Sequence, residues 1–336
     1  MTDTQNKITV LGTTSWGITL ASLIAKKNIA VNLWARTEKE AYEIELARED
    51  TTHLPGIILP RLITVKYSLE SCVENSKYIL IAVPSHSFRE NILNLSKYLN
   101  DTQILISATK GIEINTNKRM SEVAAEYISD SQYSNFSVLS GPNLAKEIAN
   151  GLPASSVIAS SNHTTALEIQ KLITTSNFRV YTSSDVPGVE LCGSLKNIIA
   201  IAAGILDGLQ FGNNAKSALV TRGLSEIKRF AMAYNAQEAT FYGLAGIGDL
   251  MTTISSSYSR NRYVGEQLSK GESINTITAN MTNVAEGINT TQAIYSMSQS
   301  KNIAMPITSM VYRILFDNLP PMVAFTELMD RELTSE

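Results

Sequence analysis

The sequence predicts an α/β domain followed by an all-helical domain, and two observations support this prediction. In the first half of the chain, runs rich in β-branched residues alternate with segments of helical spacing, which is typical of a parallel sheet covered by helices on both faces. From Glu190 onward these runs disappear, and helical segments joined by glycines replace them. The change falls at Asp185–Gly188, so we place the boundary at residue 187 and predict domains over 1–187 and 188–336.

Length, composition and charge exclude several classes of protein. A chain of 336 residues accommodates about two domains, and 44% hydrophobic residues are enough for two cores. A net charge of −3 argues against a nucleic-acid partner, and two cysteines are too few for a disulfide framework or a cysteine-based zinc cluster. The first residues, MTDTQNKITV, lack the apolar core of a signal peptide, and the longest apolar stretch, Ile198–Leu206, has about half the length of a membrane span. These features predict a cytoplasmic protein that does not cross a membrane.

Short apolar runs are the predicted strands of the first domain. They are rich in β-branched residues and are separated by longer segments, of which Ser15–Lys27 and Glu38–Arg48 show the clearest helical spacing. The predicted strands cover Ile8–Leu11, Val31–Trp34, Tyr78–Val83, Gln103–Ser107, Phe136–Leu139, Ser156–Ala159 and Phe178–Tyr181.

The first strand runs directly into the turn Gly12-Thr13-Thr14-Ser15-Trp16-Gly17 and then into a helix. A Rossmann fold places its phosphate turn here: Gly12 would allow the tight turn, Gly17 would allow close packing, and the N–H groups at the helix start would hold a pyrophosphate. Thr14 stands where the middle glycine of G-x-G-x-x-G is usual, and we expect its Cβ to crowd the approach of the phosphate. The motif alone therefore leaves a plain strand–turn–helix open.

Two basic residues follow later strands, at the edge where open α/β sheets bind ligands. Arg36 comes after the second strand, where an NAD-specific site usually carries an acidic residue. It could pair with a 2′-phosphate or stack on adenine, which favours NADP(H) or dual use; the alternative is a solvated arginine. Lys110 comes after another strand and could reach a phosphate or carbonyl oxygen, and the alternative is a loop lysine in water.

The helical half carries one unusual lysine. The segment that begins at Glu190 is apolar nearly all round after Asn197, and Lys196 interrupts it with no acidic residue three or four positions away. A buried lysine without a partner tends toward the neutral form and suits a general acid or base. The alternative is a lysine at the rim whose stem covers apolar surface.

Two further segments carry candidate site residues. Three glycines precede Asp249, which could orient a reacting group or merely cap the following helix; Thr253 lies on the same helical face. Ser259, Arg260 and Asn261 stand at another predicted helix start, where their donors would bind an anion, most naturally a phosphate. The alternative for these three residues is a basic surface turn.

Several segments follow one another along the chain in a specific order and spacing: GTTSWG, HLPGIILP, VPSHSFR, TKGIE, SGPNLAKEIANGLPAS, FRVYTSSDVPGVELCGSLKNIIAIAAGILDGL, NNAKSALVTRGLSEI, GLAGIGDL, SRNR and VAEG. Taken together, these segments resemble bacterial NAD(P)-dependent glycerol-3-phosphate dehydrogenases over nearly the whole chain. The resemblance implies a Rossmann-like domain followed by an all-helical domain of the 6-phosphogluconate dehydrogenase C-terminal type. It also implies a homodimer that uses NADP(H) or NAD(H) without a metal and supplies glycerol 3-phosphate for phospholipid synthesis.

The resemblance assigns roles to matching positions. Lys196 corresponds to the proton-transfer lysine of the family, with Asn197 and Thr253 beside the site. The substrate would contact Lys110, Gly141, Asn143, Lys196, Asp249, Ser259, Arg260 and Asn261. The dinucleotide would contact Gly12, Ser15, Trp16, Gly17, Arg36, Lys110, Ala145, Arg260, Val284 and Glu286.

Two positions depart from the family pattern. Thr14 replaces a turn glycine, and Asn143 stands where Ser or Thr usually follows SGP; an amide can still donate a hydrogen bond there. Two other functions remain open: a related dehydrogenase that acts on a non-phosphorylated oxo acid, and a regulator that binds the dinucleotide without catalysis.

Overall fold

The computed structural model describes residues 7–281 and 284–332. Its contacts divide the chain into two units: the first runs to Lys110 and resumes over Met120–Val189, and the second contains Gly111–Arg119 and the chain from Glu190 onward. Most of the polar start on which the prediction about a signal peptide rests, residues 1–6, lies outside the described residues.

The first unit is built on an eight-stranded sheet in the order β3-β2-β1-β4-β5-β6-β7-β8. Strands β1 to β6 are parallel, whereas β7 runs antiparallel to β6 and β8 runs parallel to β7, so the wholly parallel sheet that we predicted is wrong at this end. The strands are β1 Ile8–Leu11, β2 Val31–Trp34, β3 Ile63–Lys66, β4 Tyr78–Ile81, β5 Ile104–Ser107, β6 Ser137–Ser140, β7 Ala154–Ser160 and β8 Phe178–Ser183.

Helices bury the central strands of this sheet. Every residue of β1, β4, β5 and β6 is buried, which requires cover on both faces, as in other α/β domains. The helices of this unit are α1 Ser15–Ala25, α2 Glu38–Ala47, α3 Leu69–Val73, α4 Phe88–Ser96, α5 Met120–Ala124, α6 Asp130–Ser134, α7 Ala145–Ala149 and α8 His163–Ile173, with a 3₁₀ turn over Ser85–Ser87.

The second unit is helical and is organised around α9. This helix is long and apolar enough to cross a membrane, but 94% of its most apolar window is buried inside the protein, which identifies it as a core helix. The helices are α9 Val186–Gly208, α10 Gly212–Met232, α11 Glu238–Phe241, α12 Asp249–Ser255, α13 Arg260–Ser269, α14 Ile274–Ala279, α15 Glu286–Ser300, α16 Pro306–Phe316 and α17 Pro321–Met329, with a π-helical turn over Leu244–Gly248.

The segment Gly111–Arg119 belongs to the helical unit although the chain on both sides of it belongs to the sheet unit. Ile112 and Arg119 form an antiparallel bridge that closes the segment, and Ile112 is buried in the helical core. Arg119 also forms an ion pair of 2.9 Å with Glu190 of α9, and both side chains are largely buried. No sequence pattern indicated this excursion.

A buried carboxyl group holds the start of α16. The Glu226 side chain, on α10, accepts hydrogen bonds from the Ile307 and Thr308 backbone N–H groups and from the Thr308 hydroxyl. It therefore caps a helix whose own N-cap residue, Met305, supplies no side-chain acceptor. Burial raises the pKa of Glu226 to about 7, although these donors and the nearby charge of Arg229 oppose the shift.

This shift predicts a pH-dependent stability. Between the ordinary pKa of 4.5 and about 7, the folded chain keeps a proton on Glu226 that the unfolded chain has released. The free energy of unfolding should therefore fall by roughly 3 kcal/mol as the pH rises through this window. Urea unfolding at a series of pH values should show that the free energy of unfolding falls less steeply with pH in Glu226→Gln than in the wild type. The same dependence on pH in the two proteins would contradict the prediction.

Candidate active site

The predicted site residues divide between the two units. Those in the sheet unit are Gly12, Ser15, Trp16, Gly17, Arg36, Lys110, Gly141, Asn143 and Ala145. Those in the helical unit are Lys196, Asp249, Ser259, Arg260, Asn261, Val284 and Glu286.

The turn between β1 and α1 has the shape of a phosphate-binding turn. Gly12 has φ +107°, and a Cβ added to it would lie 2.8 Å from the Ala82 carbonyl oxygen; a Cβ on Gly17 would lie 2.1 Å from the Gly12 carbonyl oxygen. Both positions therefore require glycine. Ser15 and Trp16 are the first two residues of α1, and the helix has no carbonyl oxygen that could accept from their N–H groups. These N–H groups are therefore available to an anion.

Thr14 is hydrogen-bonded within the protein at this turn, and the crowding of a phosphate by its Cβ stays a prediction. It is the N-cap of α1, and its φ of −71° is open to any residue. Its hydroxyl accepts a hydrogen bond from Gly17 N at 3.1 Å and donates one to the Ala82 carbonyl oxygen at 2.8 Å. The side chain is therefore turned into the protein.

The loop after α2 also supports this turn, and sequence reasoning missed it. The Ser15 hydroxyl donates to the His53 carbonyl oxygen, and the His53 Nδ1 lies 2.8 Å from the Asp50 carboxylate. The ligand-type atoms of Glu40, Asp50 and His53 lie within 4.8 Å of one another, but Glu40 already accepts from Thr13 and Asp50 from the 52–53 backbone. Hydrogen bonds inside the protein therefore account for this group.

The carboxyl ends of β5 and β6 bring predicted site residues together. Lys110 donates to the Gly141 carbonyl oxygen at 3.1 Å. The Asn143 amide donates to the Ser155 carbonyl oxygen at 3.2 Å, so β7 fixes its orientation. Ala145 is the first residue of α7.

Two other predicted dinucleotide contacts differ in exposure. Arg36 follows β2 and is exposed, as a residue that meets a ligand from solvent requires. Trp16 is half-buried against the sheet-unit core, and its ring meets Phe178 edge-on with 6.3 Å between the ring centroids.

The helical unit buries an ion pair at Lys196. The Lys196 ammonium pairs with the Asp249 carboxylate, and the two side chains are 8% and 1% exposed. Lys196 also donates to the Thr253 hydroxyl oxygen at 2.8 Å, while that hydroxyl donates to the Asp249 carbonyl oxygen at 2.7 Å. The expectation of an unpaired lysine is therefore wrong, because its acidic partner comes from a segment distant in sequence.

The turn before α12 delivers Asp249 to this lysine. Gly246 has non-helical dihedrals, and a Cβ on it would lie 2.3 Å from the Phe241 carbonyl oxygen. Asp249 is the first residue of α12 and its side chain pairs with Lys196, while the cap position falls on Gly248. The alternative that Asp249 merely caps the helix is therefore wrong.

Asn261 joins three helices beside this pair. Its amide nitrogen donates to Asn197 Oδ1 on α9 at 2.9 Å, and its amide oxygen accepts from Gly287 N on α15 at 2.9 Å. Because Asn197 follows Lys196 directly, this buried amide ties the start of α13 to the helix that carries the lysine.

Arg260 lies at the start of α13, and the charge of Glu286, at the start of α15, acts on it. Ser259 is the N-cap of α13 and accepts from Arg262 N at 3.3 Å. Arg260 is exposed, and desolvation nevertheless lowers the pKa of its guanidinium, while the negative charge of Glu286 opposes the shift. Glu286 begins α15, and Val284 precedes it with 40% of its surface exposed.

Backbone-to-backbone contact between α9 and α13 predicts a sensitive position. A Cβ on Gly265 would lie 2.0 Å from the Ile201 carbonyl oxygen, so Gly265→Ala must push the two helices apart. We expect this variant to lose about 1–3 kcal/mol of unfolding free energy and to raise the KM for the substrate, because α9 carries Lys196 and α13 begins at Arg260.

Urea unfolding and steady-state kinetics test this expectation. The matched control is Gly243→Ala, since a Cβ there would meet its nearest atom at 3.5 Å, an ordinary contact distance. Equal stability and equal KM in the two variants would contradict it.

Comparison with known proteins places both units in one family. The model of the NAD-dependent glycerol-3-phosphate dehydrogenase N-terminus matches residues 7–166, and the model of its C-terminus matches residues 185–326. The chain is 48% identical over 333 residues to the glycerol-3-phosphate dehydrogenase [NAD(P)+] of Dehalococcoides mccartyi strain BAV1, covering 99% of this chain and 93% of that one. It is 45% identical over 331 residues to the enzyme of the same name from Chlorobium phaeobacteroides, covering 98% and 99%.

A solved structure agrees with these relatives. The crystal structure of glycerol-3-phosphate dehydrogenase from Coxiella burnetii superposes with a TM-score of 0.93 at 35% identity, covering 98% of this chain and all of that one. The Rossmann-like sheet and the helical unit, each matched by a model of the same family, together define an NAD(P)-dependent dehydrogenase. The chain belongs to the family of NAD-dependent glycerol-3-phosphate dehydrogenases.

Proposed function

We propose that this chain interconverts dihydroxyacetone phosphate and sn-glycerol 3-phosphate, with Lys196 as the general acid and base. The observation that carries the proposal is the buried cluster of Lys196, Asp249 and Thr253 in a chain of this family. The bound dinucleotide supplies the hydride for reduction and accepts it in oxidation. The glycine-requiring turn at Gly12 and the N–H groups that begin α1 fit the pyrophosphate of such a dinucleotide.

Lys196 has the hydrogen bonds that a proton donor needs. In reduction its ammonium gives a proton to the carbonyl oxygen of the substrate, on which negative charge develops, and in oxidation the neutral amine takes the hydroxyl proton. The Thr253 hydroxyl commits its own proton to the Asp249 carbonyl oxygen, so toward Lys196 it acts as an acceptor. Asp249 and Thr253 thus orient the lysine, and proton transfer by such a group typically contributes about 10²–10⁴-fold.

The phosphate of the substrate is assigned to the start of α13. The guanidinium of Arg260 offers donors in a fork that matches a phosphate, and Ser259 and Asn261 flank this residue. Binding the phosphate there would hold the carbonyl group in register for the reaction. In the sheet unit, Lys110, Gly141 and Asn143 are proposed to complete the substrate contacts.

The remaining predicted contacts are assigned to the dinucleotide. Arg36 is proposed to pair with the 2′-phosphate of NADP(H), which would make this cofactor preferred or equally accepted. The other proposed contacts are Gly12, Ser15, Trp16, Gly17, Lys110, Ala145, Arg260, Val284 and Glu286. No metal is needed, since Lys196 supplies the proton.

The test follows the loss of NADPH absorbance with purified protein and dihydroxyacetone phosphate, repeated with NADH and with plain dihydroxyacetone. The expected result is rapid oxidation of the cofactor with the phosphorylated ketone and not with plain dihydroxyacetone. The ratio of the rates with NADPH and NADH, compared between the wild type and Arg36→Ala, measures the contribution of Arg36. Binding of NADPH without turnover of any ketone would instead favour a regulator. Turnover of non-phosphorylated oxo acids would favour a different dehydrogenase.

Membership of the same family supports a proposal about the cellular setting. We propose a cytoplasmic homodimer that supplies glycerol 3-phosphate for phospholipid synthesis. Sedimentation of the purified protein at twice its chain mass of 36.7 kDa is the expected result for the dimer.

A further inference from the structure

The phosphate turn carries three successive hydroxyl groups, and each contacts a different part of the sheet unit. Thr13 donates to the Glu40 carboxylate on α2, Thr14 donates to the Ala82 carbonyl oxygen after β4, and Ser15 donates to the His53 carbonyl oxygen in the loop after α2. All three hydroxyl protons are therefore used inside the protein.

We propose that these hydroxyl groups are positioning residues that hold the turn in its dinucleotide-binding shape, with Thr14 the most important of them. The proposal rests on the dinucleotide binding stated above and goes beyond it: Thr14 acts through the backbone of the turn. The residue that departs from the glycine pattern would thereby strengthen cofactor binding.

Thr14 has the contacts that this role requires. Its hydroxyl accepts from Gly17 N and donates to the Ala82 carbonyl oxygen, so one side chain joins the turn, the first turn of α1 and the end of β4. The same Ala82 oxygen is the atom that a Cβ on Gly12 would meet at 2.8 Å. The turn is thus fixed against one carbonyl group both by close approach and by a hydrogen bond.

The Thr14 hydroxyl also determines which backbone donors serve the ligand. It satisfies the N–H of Gly17, which leaves the N–H groups of Ser15 and Trp16 as the donors at the start of α1. A turn already held in shape loses less conformational entropy when a ligand binds. Glycine at position 14 would remove both hydrogen bonds and add backbone freedom, so it should weaken binding.

The test compares Thr14→Val, Thr14→Ser and Thr14→Gly with the wild type. Fluorescence titration gives the Kd for NADPH, and steady-state kinetics separate the KM for NADPH from the KM for dihydroxyacetone phosphate and from kcat. We expect Thr14→Val to raise the Kd and the KM for NADPH about tenfold, Thr14→Gly to raise them roughly threefold or more, and Thr14→Ser to stay within about twofold. At saturating NADPH, kcat should change less than about twofold.

Thr9→Val is the matched control. Thr9 lies in β1 of the same unit, is fully buried, and donates to the Cys72 carbonyl oxygen, so this variant also loses a buried hydroxyl. We expect it to lower the melting temperature without changing the Kd for NADPH.

Three results would overturn the proposal: an unchanged Kd in Thr14→Val, tighter binding in Thr14→Gly, or an equal rise of the Kd in Thr9→Val. If Thr14→Val does not fold, the difference between Thr14→Ser and Thr14→Gly decides. Failure of the wild type to bind NADPH would overturn the proposed function itself, which distinguishes the two failures.

Discussion

Lys196→Met is expected to lower kcat by at least about 10³-fold while NADPH still binds. The variant removes the only proton donor assigned to the carbonyl oxygen and keeps the length of the buried side chain, so the cavity stays filled. The KM for dihydroxyacetone phosphate should change much less, because the contacts proposed for the phosphate are at the start of α13. Stopped-flow measurement of a single turnover would detect a residual rate below the steady-state limit.

Controls separate this chemical effect from a loss of stability. Removing the lysine leaves the Asp249 carboxylate buried without its cation, which costs about 3–5 kcal/mol in comparable pairs. The double variant Lys196→Met with Asp249→Asn removes both charges and should regain stability but no activity. Lys216→Met, which breaks the half-buried pair with Asp207 in the same unit, should retain turnover. Turnover within tenfold of wild type in Lys196→Met would remove Lys196 from the proposed role.

At saturating NADPH, Arg260→Ala is expected to raise the KM for dihydroxyacetone phosphate about 10²-fold and to leave the slow reaction of plain dihydroxyacetone unchanged. A charge-assisted hydrogen bond between a guanidinium and a phosphate is worth about 1.5–3 kcal/mol, and this substrate alone carries the phosphate. Arg260→Lys should give a KM between those of the wild type and Arg260→Ala, because an ammonium group carries the charge but cannot form the paired hydrogen bonds of a guanidinium. Steady-state kinetics with both ketones measure the effect.

The neighbouring arginine supplies the matched control. Arg262, on the same helix, donates to the Asp207 carboxylate at 2.6 Å and pairs with Glu266 at 2.7 Å. Arg262→Ala should therefore cost stability and affect the KM far less than Arg260→Ala. An equal rise of the KM in both variants would mean that the helix start, not the Arg260 side chain, binds the phosphate.

The sequence was sufficient to predict the features that depend on neighbouring residues. The strand at Ile8, the turn at Gly12 and the helix from Ser15 follow one another directly, so the local pattern predicted all three. Strand β3 was missed because only Ile63 and Val65 of its four residues are buried. Two buried residues are too few to reveal the alternation of apolar and polar side chains that is typical of a strand. The reversed direction of β7 has no signature in composition.

Contacts between distant segments were beyond sequence reasoning. Lys196 and Asp249 were both predicted as site residues, yet their pairing depends on how α9 packs against the turn before α12. Thr14 was judged by the bulk of its Cβ, whereas the partners of its hydroxyl, Gly17 N and the Ala82 oxygen, became visible only in the structure. Asn261 likewise combines a predicted ligand role with a bridge between three helices.

The excursion at Gly111–Arg119 has a consequence for how this chain can be divided or recombined. A fragment that begins at Glu190 would lack Ile112 from its core, and Glu190 would lose Arg119 as its partner. A single division of the chain near residue 190 therefore yields a helical fragment whose core lacks Ile112, whether the division is a cut, a fusion point or a genetic crossover. Exchange of the helical half between related enzymes would therefore require residues 111–119 to be exchanged together with it.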